Sequence, residues 1–203
     1  MTLSNRKILR TLLCLLAGTL YAVCLSACDA KEPLSENRDA EIESPVIAND
    51  LSNQKVTAIA EDTQGHIWIG TFRGLNKNNV HDYHQYFCTD DSLGLPDNQI
   101  THLLRDSKNR FWVGTVNGVC LYTDKDNFRI IPIEADNKNV RQILEDRNGR
   151  IFLNTGFQLY AYHPREEKIT CVLPEISPGN AFYAQCHIAP DNNLWVMTST
   201  GLR

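Results

Sequence analysis

The chain of 203 residues is 42% apolar and 22% charged, and its formal net charge at neutral pH is −4. This composition is typical of a globular protein with one or at most two domains. Proteins that bind DNA or RNA present a basic patch to the phosphates, and this slightly acidic chain gives no reason to expect one. We therefore expect no nucleic-acid partner.

The first 27 residues have the pattern of an export signal. A basic start at residues 6–10 is followed by a nearly uncharged apolar run and then by small residues, which is the order of regions in a secretory signal peptide. Residues 25–28, LSAC, also match a bacterial lipoprotein box, in which small residues precede the cleavage site and the cysteine carries the lipid. We therefore predict a signal helix, export to the periplasm and lipidation at Cys28. An ordinary signal peptide or an uncleaved membrane anchor is the alternative.

The segment that follows, residues 28–50, is polar and acidic with few apolar anchors. Such a composition is typical of a flexible tether between a membrane-bound end and a folded domain. Beyond the tether lie the other four cysteines, Cys88, Cys120, Cys171 and Cys186. None of the four belongs to a CxxC pair, so a zinc ribbon or a thioredoxin-like motif is not expected. An oxidising compartment would allow disulfides, but the spacing identifies no partners, and we favour a role as small buried residues on strands.

A motif of twenty residues occurs four times in the rest of the chain. The copies are VTAIAEDTQGHIWIGTFRGL (56–75), ITHLLRDSKNRFWVGTVNGV (100–119), VRQILEDRNGRIFLNTGFQL (140–159) and YAQCHIAPDNNLWVMTSTGL (183–202). One position is aromatic in every copy: Trp68, Trp112, Phe152 and Trp195. Repeats of about 40–45 residues with short alternating strands are typical of β-propeller blades.

Every copy divides into strands and turns in the same way. A first strand ends at a turn that begins with Asp62, Asp106 or Asp146, and Gly65 and Gly149 suit the tight geometry of that turn. A second, apolar strand carries the aromatic residue, and a third strand and a weaker fourth strand follow. The sequence therefore predicts an all-β fold, a partial β-propeller over residues 51–203 with about three and a half four-stranded antiparallel blades. The aromatic residues are expected to pack between the sheets.

The repeat resembles the two-component regulator propeller repeat. The shared features are the aspartate turn, the strand with an apolar-Trp-apolar-Gly-Thr pattern, the glycine after it, and the lead-in GLPDNQI at residues 94–100. Such repeats build the periplasmic sensor regions of hybrid two-component histidine kinases in Gram-negative bacteria, so the resemblance implies signal transduction through a phosphorelay and allows a homodimeric parent protein. The copies depart from the pattern at Asn154, Gln158, Ala189 and Met197.

The chain ends at the start of the third strand of the fourth copy. A closed propeller has about four to eight blades, so we expect an N-terminal fragment of a longer sensor or a truncated gene. The missing blades would come from the rest of the sensor polypeptide or from a partner. The resemblance implies a kinase in the parent protein, but these 203 residues include neither a phosphoacceptor helix nor an ATP lid. We expect no enzymatic activity and no cofactor in this chain.

Several arrangements that could carry chemistry are set aside. The stretch around Gly65 lacks the GxxxxGK[ST] pattern of a phosphate loop. His81 and His84 lie three residues apart, so a strand would point them to opposite faces, and no metal site is predicted. Acidic pairs occur at residues 61–62 and 90–91, but an aspartate that recurs in successive copies fits a turn better than a unique active site. No GxSxG elbow is present.

Ligand binding is the better prediction. The loops after the second strand of each blade gather on one face of a propeller, and loops carry function over a repeating scaffold. The copies differ there, and the candidate binding residues are Phe72, Arg73, Asn117, Phe157 and Gln158. Aromatic and amide side chains suit sugars, so the predicted ligand is an oligosaccharide. The alternative is that these residues only complete turns or contact a neighbouring domain.

Two functions stay open at this point. The first is a periplasmic ligand-sensing module at the start of a hybrid sensor kinase, attached to the membrane through its N-terminus. The second is a stand-alone or degenerate lipoprotein whose partial propeller is a scaffold for protein interaction. The lipoprotein box favours the second function, because a sensor that spans the membrane needs no lipid anchor. The end of the chain inside a blade favours the first.

Overall fold

The computed structural model describes residues 45–89, 93–123, 125–164, 166–174, 183–199 and 201–202. The predicted signal helix, the lipidation site Cys28 and most of the tether lie outside these residues. In the described ranges, no helix has the length and apolar character needed to cross a bilayer.

The described residues form strands β1–β16 in four antiparallel sheets. The first sheet has the spatial order β1 (Val46–Ala48), β5 (Asp82–Tyr86), β4 (Gly74–Asn79), β3 (Ile67–Thr71) and β2 (Val56–Glu61). The second sheet contains β6 (Ile100–Arg105), β7 (Phe111–Thr115), β8 (Gly118–Tyr122) and β9 (Phe128–Ile131). The third contains β10 (Gln142–Glu145), β11 (Ile151–Asn154), β12 (Leu159–His163) and β13 (Lys168–Leu173). The fourth contains β14 (Tyr183–Ile188), β15 (Leu194–Thr198) and β16 (Gly201–Leu202).

Apart from β1, which pairs with β5, each sheet is a meander in which neighbours in sequence are neighbours in space. The register repeats as well: Trp68 on β3 lies opposite Ala60 on β2, and Trp112 on β7 lies opposite Leu104 on β6. Strands β2, β6 and β14 each have a register irregularity near their beginning, a feature that bends a strand. The predicted all-β fold of successive antiparallel blades is confirmed.

Strand β1 is a difference from the sequence analysis, which assigns its residues to the tether. It pairs antiparallel with β5, with Val46 opposite Gln85 and Ala48 opposite Tyr83. Three residues are too few for a periodic signal, so the sequence pattern does not reveal them. In the structure β1 occupies the outer edge of the first sheet, where β5 would otherwise leave backbone groups open to pairing. Strand β5, which carries His84, corresponds to the fourth strand of the repeat. It is not the edge strand of the sheet, because it lies between β1 and β4.

The aromatic position of the repeat lies in the contact between one sheet and the next. Trp68 is fully buried, and its ring centroid lies 5.0 Å from that of Phe111 and 4.7 Å from that of Tyr122, both in the second sheet. Trp112 is also fully buried and meets Tyr162 of the third sheet edge-on at 4.9 Å. Such tilted and edge-on pairs add to the free energy of burying the rings.

The glycine two residues after each of these tryptophans allows the sheets to approach closely. A Cβ atom placed on Gly70 would lie 2.5 Å from Cγ2 of Ile100 on β6. A Cβ atom on Gly114 would lie 3.2 Å from Val140 and 3.3 Å from Ile143. The third sheet has Asn154 at this position. The third sheet contacts the fourth through Gln142 on β10. The Gln142 side-chain amide donates to Cys186 O and accepts from the Cys186 N–H, both at 2.9 Å.

The two outermost sheet faces are apolar and open. On the first sheet, Ile59 is 65% exposed and Ile67 is 39% exposed. On the fourth sheet, Trp195 is 44% exposed, and Met197 and Leu202 are also exposed. These residues have the same strand positions as buried residues of the other copies. Their exposure therefore follows from the lack of a neighbouring sheet in the described residues, not from a different local structure.

Candidate functional site

The two ends of the sheets carry different connections. The hairpin end carries the short connections β3–β4, β7–β8, β11–β12 and β15–β16. The turn end carries the aspartate turns between β2 and β3, β6 and β7, and β10 and β11, and the equivalent turn between β14 and β15. All five candidate binding residues lie at the hairpin end.

A threonine makes the same hydrogen bond in every connection at the hairpin end. The hydroxyl of Thr71 donates to Gly74 O at 2.8 Å, and the hydroxyl of Thr115 donates to Gly118 O at 2.9 Å. Thr155 and Thr198 make the same bond, to Gln158 O at 3.1 Å and to Gly201 O at 2.7 Å. The sequence analysis does not assign this role, although the threonine recurs in all four copies. The hairpins are thus a constant frame, and the residues between the frame positions are free to differ.

The first hairpin presents Phe72 and Arg73, both exposed. The backbone N–H of Phe72 donates to Lys55 O at 3.0 Å, and Lys55 Nζ lies 3.6 Å from the centroid of the Phe72 ring. A cation over a ring at this distance is attracted by the negative ring face. One face of Phe72 is therefore covered by Lys55.

The second and third hairpins present the other three candidates. Asn117 and Phe157 are exposed, whereas Gln158 is partly buried because its Oε1 accepts a hydrogen bond from the Tyr160 hydroxyl at 2.5 Å. The third hairpin also differs in its backbone: Gly156 has φ of 88°, where the first two hairpins have their left-handed residue at Gly74 and Gly118. Among the described residues, no hydrogen bond or ring contact joins candidates of different hairpins. They share one end of the molecule.

The lead-in segment before the second copy packs against this end. The Gly74 N–H donates to Asn98 O at 2.7 Å, and the Asn98 side chain accepts from the Cys88 N–H at 2.7 Å. Pro96 lies 3.5 Å from the place where a Cβ atom on Gly118 would be. Pro96 and Asn98 are therefore residues of the hairpin end that the sequence analysis does not include. The signal that could have found them is the family lead-in GLPDNQI.

At the turn end, the repeated aspartate makes two kinds of contact. Asp106 Oδ1 accepts from the backbone N–H groups of Lys108 and Arg110, at 3.0 and 2.8 Å, which holds the turn. Asp106 Oδ2 accepts from Trp112 Nε1 at 2.8 Å and from Arg110 Nε at 2.6 Å. Asp62 binds the backbone and Trp68 Nε1 in the same way. The aspartate thus joins the turn to the buried tryptophan.

Such contacts lower the pKa of Asp62 and of Asp146. Burial tends to raise the pKa of Asp62, but hydrogen bonds from the Trp68 indole and the backbone of His66 and Gln64 outweigh it, so the pKa lies below its ordinary value. Burial likewise acts to raise the pKa of Asp146, and the backbone and guanidinium of Arg150 lower it below the ordinary value. An acid with a lowered pKa is ionised and fully engaged in bonding at neutral pH, which suits a structural role.

The left-handed residue of the aspartate turn is Gly65, Asn109, Gly149 or Asn192, with φ between 64° and 85°. Glycine and asparagine are the residues that adopt this conformation at least cost. The fourth turn keeps the conformation although Ala189 stands in place of the aspartate. Its backbone bonds, from Ala189 N to Asn193 O and from Asn192 N to Ala189 O, both measure 2.9 Å.

The remaining polar groups show no metal-binding arrangement in the described ranges. His84 Nε2 lies 3.9 Å from Asp82 Oδ1 on the same strand, and the acidic pair at residues 90–91 lies outside the described residues. Among the cysteines, Cys120 and Cys186 are buried on strands, while Cys88 and Cys171 are exposed. Burial raises the pKa of Cys120, and raises that of Cys186 to about 11, so both thiols are protonated at neutral pH.

Comparison with known proteins finds one family model that matches two stretches of the chain. The two component regulator propeller matches residues 50–73 and 94–117, which include the first two aspartate turns and their tryptophan strands. These two stretches are similar to repeats of that family. A search of curated proteins gave no significant match.

Solved structures show the same fold. The extracellular domain of a hybrid two-component system from B. thetaiotaomicron has a TM-score of 0.64 and 24% identity over 73% of this chain and 20% of its own. The extracellular domain of a second hybrid system from the same organism has a TM-score of 0.60 and 22% identity, over 76% of this chain and 22% of its own. The chain therefore spans about a fifth of these domains.

The fold is also similar to that of an enzyme. Virginiamycin B lyase from Staphylococcus aureus has a TM-score of 0.57 and 18% identity over 78% of this chain and 58% of its own. At these identities the likeness shows the propeller fold alone, which is known to support unrelated functions.

Proposed function

We propose that this chain is an exported ligand-sensing propeller module, the N-terminal part of the periplasmic region of a hybrid two-component sensor kinase, and that its ligand is an oligosaccharide bound at the hairpin end. The observation that carries the proposal is that each hairpin combines constant and variable positions. Thr71, Thr115 and Thr155 hold them in one frame, while the exposed residues inside the frame differ from copy to copy. A repeated frame with variable exposed residues is what a recognition surface on a repeat scaffold requires.

The chemistry of the exposed residues supports a sugar ligand. Phe72 and Phe157 are each 37% exposed, a large apolar surface for loop residues, and a sugar ring can stack on such a face. Arg73 and Asn117 offer hydrogen-bond donors for hydroxyl groups from neighbouring hairpins. Export is supported by the extracellular origin of the similar sensor domains. The LSAC segment supports a lipid anchor at Cys28, and no catalytic role is proposed for this chain.

The test is signalling by the full-length sensor in its own cell, with a transcriptional reporter and a panel of neutral and acidic oligosaccharides. In the double variant Phe72→Ala, Arg73→Ala, we expect the concentration for half-maximal response to rise at least tenfold for the active glycan. The matched control is Arg147→Ala, an exposed arginine at the turn end. An unchanged dose response in the double variant would refute the hairpin end as the binding site.

The second candidate function, a scaffold for protein interaction, is favoured by the open apolar faces of the first and fourth sheets. Val56 and Ile59 on one face, and Trp195 and Met197 on the other, are more than two-fifths exposed. Large exposed apolar surfaces mark protein contacts. Co-purification of a partner lost on Ile59→Glu but retained in the Phe72 and Arg73 variant would favour this function over ligand sensing.

A further inference from the structure

A cleft of about 400 Å³ opens between the first and second sheets at the turn end. It is separate from the candidate residues, which all lie at the hairpin end. Its volume falls within the range of small-molecule sites. The lining residues are Asp62, Thr63, Gln64, Lys77, Arg105, Asn109, Phe111, Tyr122, Lys125 and Asp126.

Three cations line the cleft, one from each of three elements. Lys77 lies on β4 of the first sheet, Arg105 ends β6 of the second sheet, and Lys125 lies in the β8–β9 turn. In the part of the chain that the structure describes, none of the three forms an ion pair with a carboxylate. Arg105 donates one N–H to Asp62 O at 3.1 Å. The other N–H groups of its guanidinium are further donors for a ligand.

The two carboxylates of the cleft are occupied by donors of the protein itself. Asp62 accepts bonds from its own turn and from the Trp68 indole. Asp126 Oδ1 accepts from the Tyr86 hydroxyl at 2.6 Å and from the Tyr122 hydroxyl at 3.0 Å. Among the described lining residues, three cations therefore face two acids, and the bonds of Asp126 to Tyr86 and Tyr122 also join the two sheets.

The floor of the cleft is aromatic. Phe111 is 4% exposed and Trp68 lies fully buried beneath it. Lys77 Nζ stands 5.3 Å from the Trp68 ring centroid and 5.5 Å from that of Tyr122. Cation–π contacts hold this ammonium over the rings. A planar or ring-shaped ligand could lie against the edge of Tyr122 with its anionic group toward Lys77.

We propose that this cleft binds a small organic anion, a single-ring molecule that carries a carboxylate or a sulfate group. The anionic group lies among Lys77, Arg105 and Lys125, and the ring contacts Tyr122 and Phe111. Gln64 and Asn109 supply amide groups for hydroxyl substituents of the ring. Because the ligand would contact both sheets, its binding would stabilise their packing, which is a means of passing a binding event through the propeller. This site does not depend on the function proposed for the hairpin end.

The test is calorimetric titration of the purified full-length chain with three probes: glucuronate, glucose 6-sulfate and uncharged glucose. Comparing glucuronate with glucose 6-sulfate shows whether the cleft prefers a carboxylate or a sulfate group. We expect at least one of the two anions to bind at least tenfold more tightly than glucose, and its affinity to fall as the salt concentration rises. Equal affinity for all three probes, or no binding of either anion, would overturn the proposal.

Variants then assign the binding to the cleft. Lys77→Met keeps most of the length and apolar packing of the side chain and removes the charge, and we expect it to weaken binding of the anion at least tenfold. Lys125→Met removes the charge from the opposite wall of the cleft, at an exposed turn outside the core. If Lys77→Met disturbs the fold, the anion affinity of Lys125→Met decides whether the cleft is the binding site. The control Lys138→Met removes an exposed lysine from the loop between β9 and β10 and should leave the affinity unchanged. Unchanged affinity in both cleft variants would refute the site, whereas the Phe72 and Arg73 variant bears only on the hairpin end.

Discussion

The second and fourth sheets contain the same motif in two environments. In the second sheet, Trp112 is fully buried, its indole N–H donates to Asp106, and the third sheet covers its ring. In the fourth, Trp195 is 44% exposed and Ala189 stands where the aspartate would be. The backbone of the turn is nevertheless the same in both. The comparison shows that the turn keeps its backbone bonds and left-handed residue without an aspartate at its first position, where the Asp191 carboxylate accepts from the Asn193 N–H instead. The tryptophan is buried where both the aspartate and a covering sheet are present.

The largest expected effect is the difference in stability lost when the aromatic residue of each sheet is replaced by alanine. Trp112→Ala removes a buried ring between two sheets and should lower the free energy of unfolding by about 3–5 kcal/mol. Trp195→Ala removes a ring that is nearly half in water and should cost less than about 1 kcal/mol in the same chain. Urea unfolding followed by circular dichroism measures both. Equal losses in the two variants would contradict the packing described for the second and third sheets.

The next effect concerns the aspartate. Asp106→Ala leaves the Trp112 indole N–H without its acceptor in a buried contact, so we expect a loss of about 1–3 kcal/mol. Ala189→Asp introduces the same carboxylate in the fourth turn and should stabilise it by about 1 kcal/mol through the turn bonds. Urea unfolding again measures the change. A stabilising Asp106→Ala or a strongly destabilising Ala189→Asp would show that the aspartate does not hold this turn.

The third hairpin extends the comparison to backbone conformation. Gly156 has φ of 88°, a region that costs an L-residue about 1–2 kcal/mol. A Cβ atom there would also press on the flexible Arg141 side chain. Gly156→Ala should therefore destabilise the chain by about 1–2 kcal/mol, and Phe157→Ala at the adjacent exposed position is the matched control. Thermal unfolding of the two variants is the measurement, and equal stability would contradict the left-handed backbone at residue 156.

The smallest effect is a dependence on pH. The folded pKa of Asp62 and of Asp146 lies below the ordinary value of 3.8. Their stabilising contribution is therefore complete above about pH 4 and is lost as the pH falls through the folded pKa values. Asp146→Asn should make stability less dependent on pH in this acidic range. Unfolding midpoints measured between pH 6 and pH 2.5 test this, and parallel curves for Asp146→Asn and the unchanged chain would contradict it.

The sheets could be predicted from the sequence because their signal recurs. Four copies of one alternating pattern, with turns at equivalent positions, indicate four similar sheets even where a single copy would be ambiguous. Strand β1 could not be predicted in this way, because Val46–Ala48 occur once and pair with β5, a partner more than thirty residues away in the chain.

The sites were less accessible to sequence reasoning. The five candidate residues can be placed at the hairpin end by counting from the repeat, but their exposure and the covering of Phe72 by Lys55 depend on side-chain packing. The bond from Trp112 to Asp106 joins positions six apart across a turn, a distance at which sequence patterns show no interaction. The cleft is less visible still, since Lys77, Arg105 and Lys125 come from two sheets and share no motif.

The central claim of this account is that the aspartate and the following sheet together bury the tryptophan of the repeat. Hydrogen exchange of the three indole N–H groups, followed by NMR after assignment with Trp→Phe variants, tests it most directly. We expect slow exchange at Trp68 and Trp112, which donate to Asp62 and Asp106, and fast exchange at Trp195. Similar exchange rates at all three positions would contradict the account.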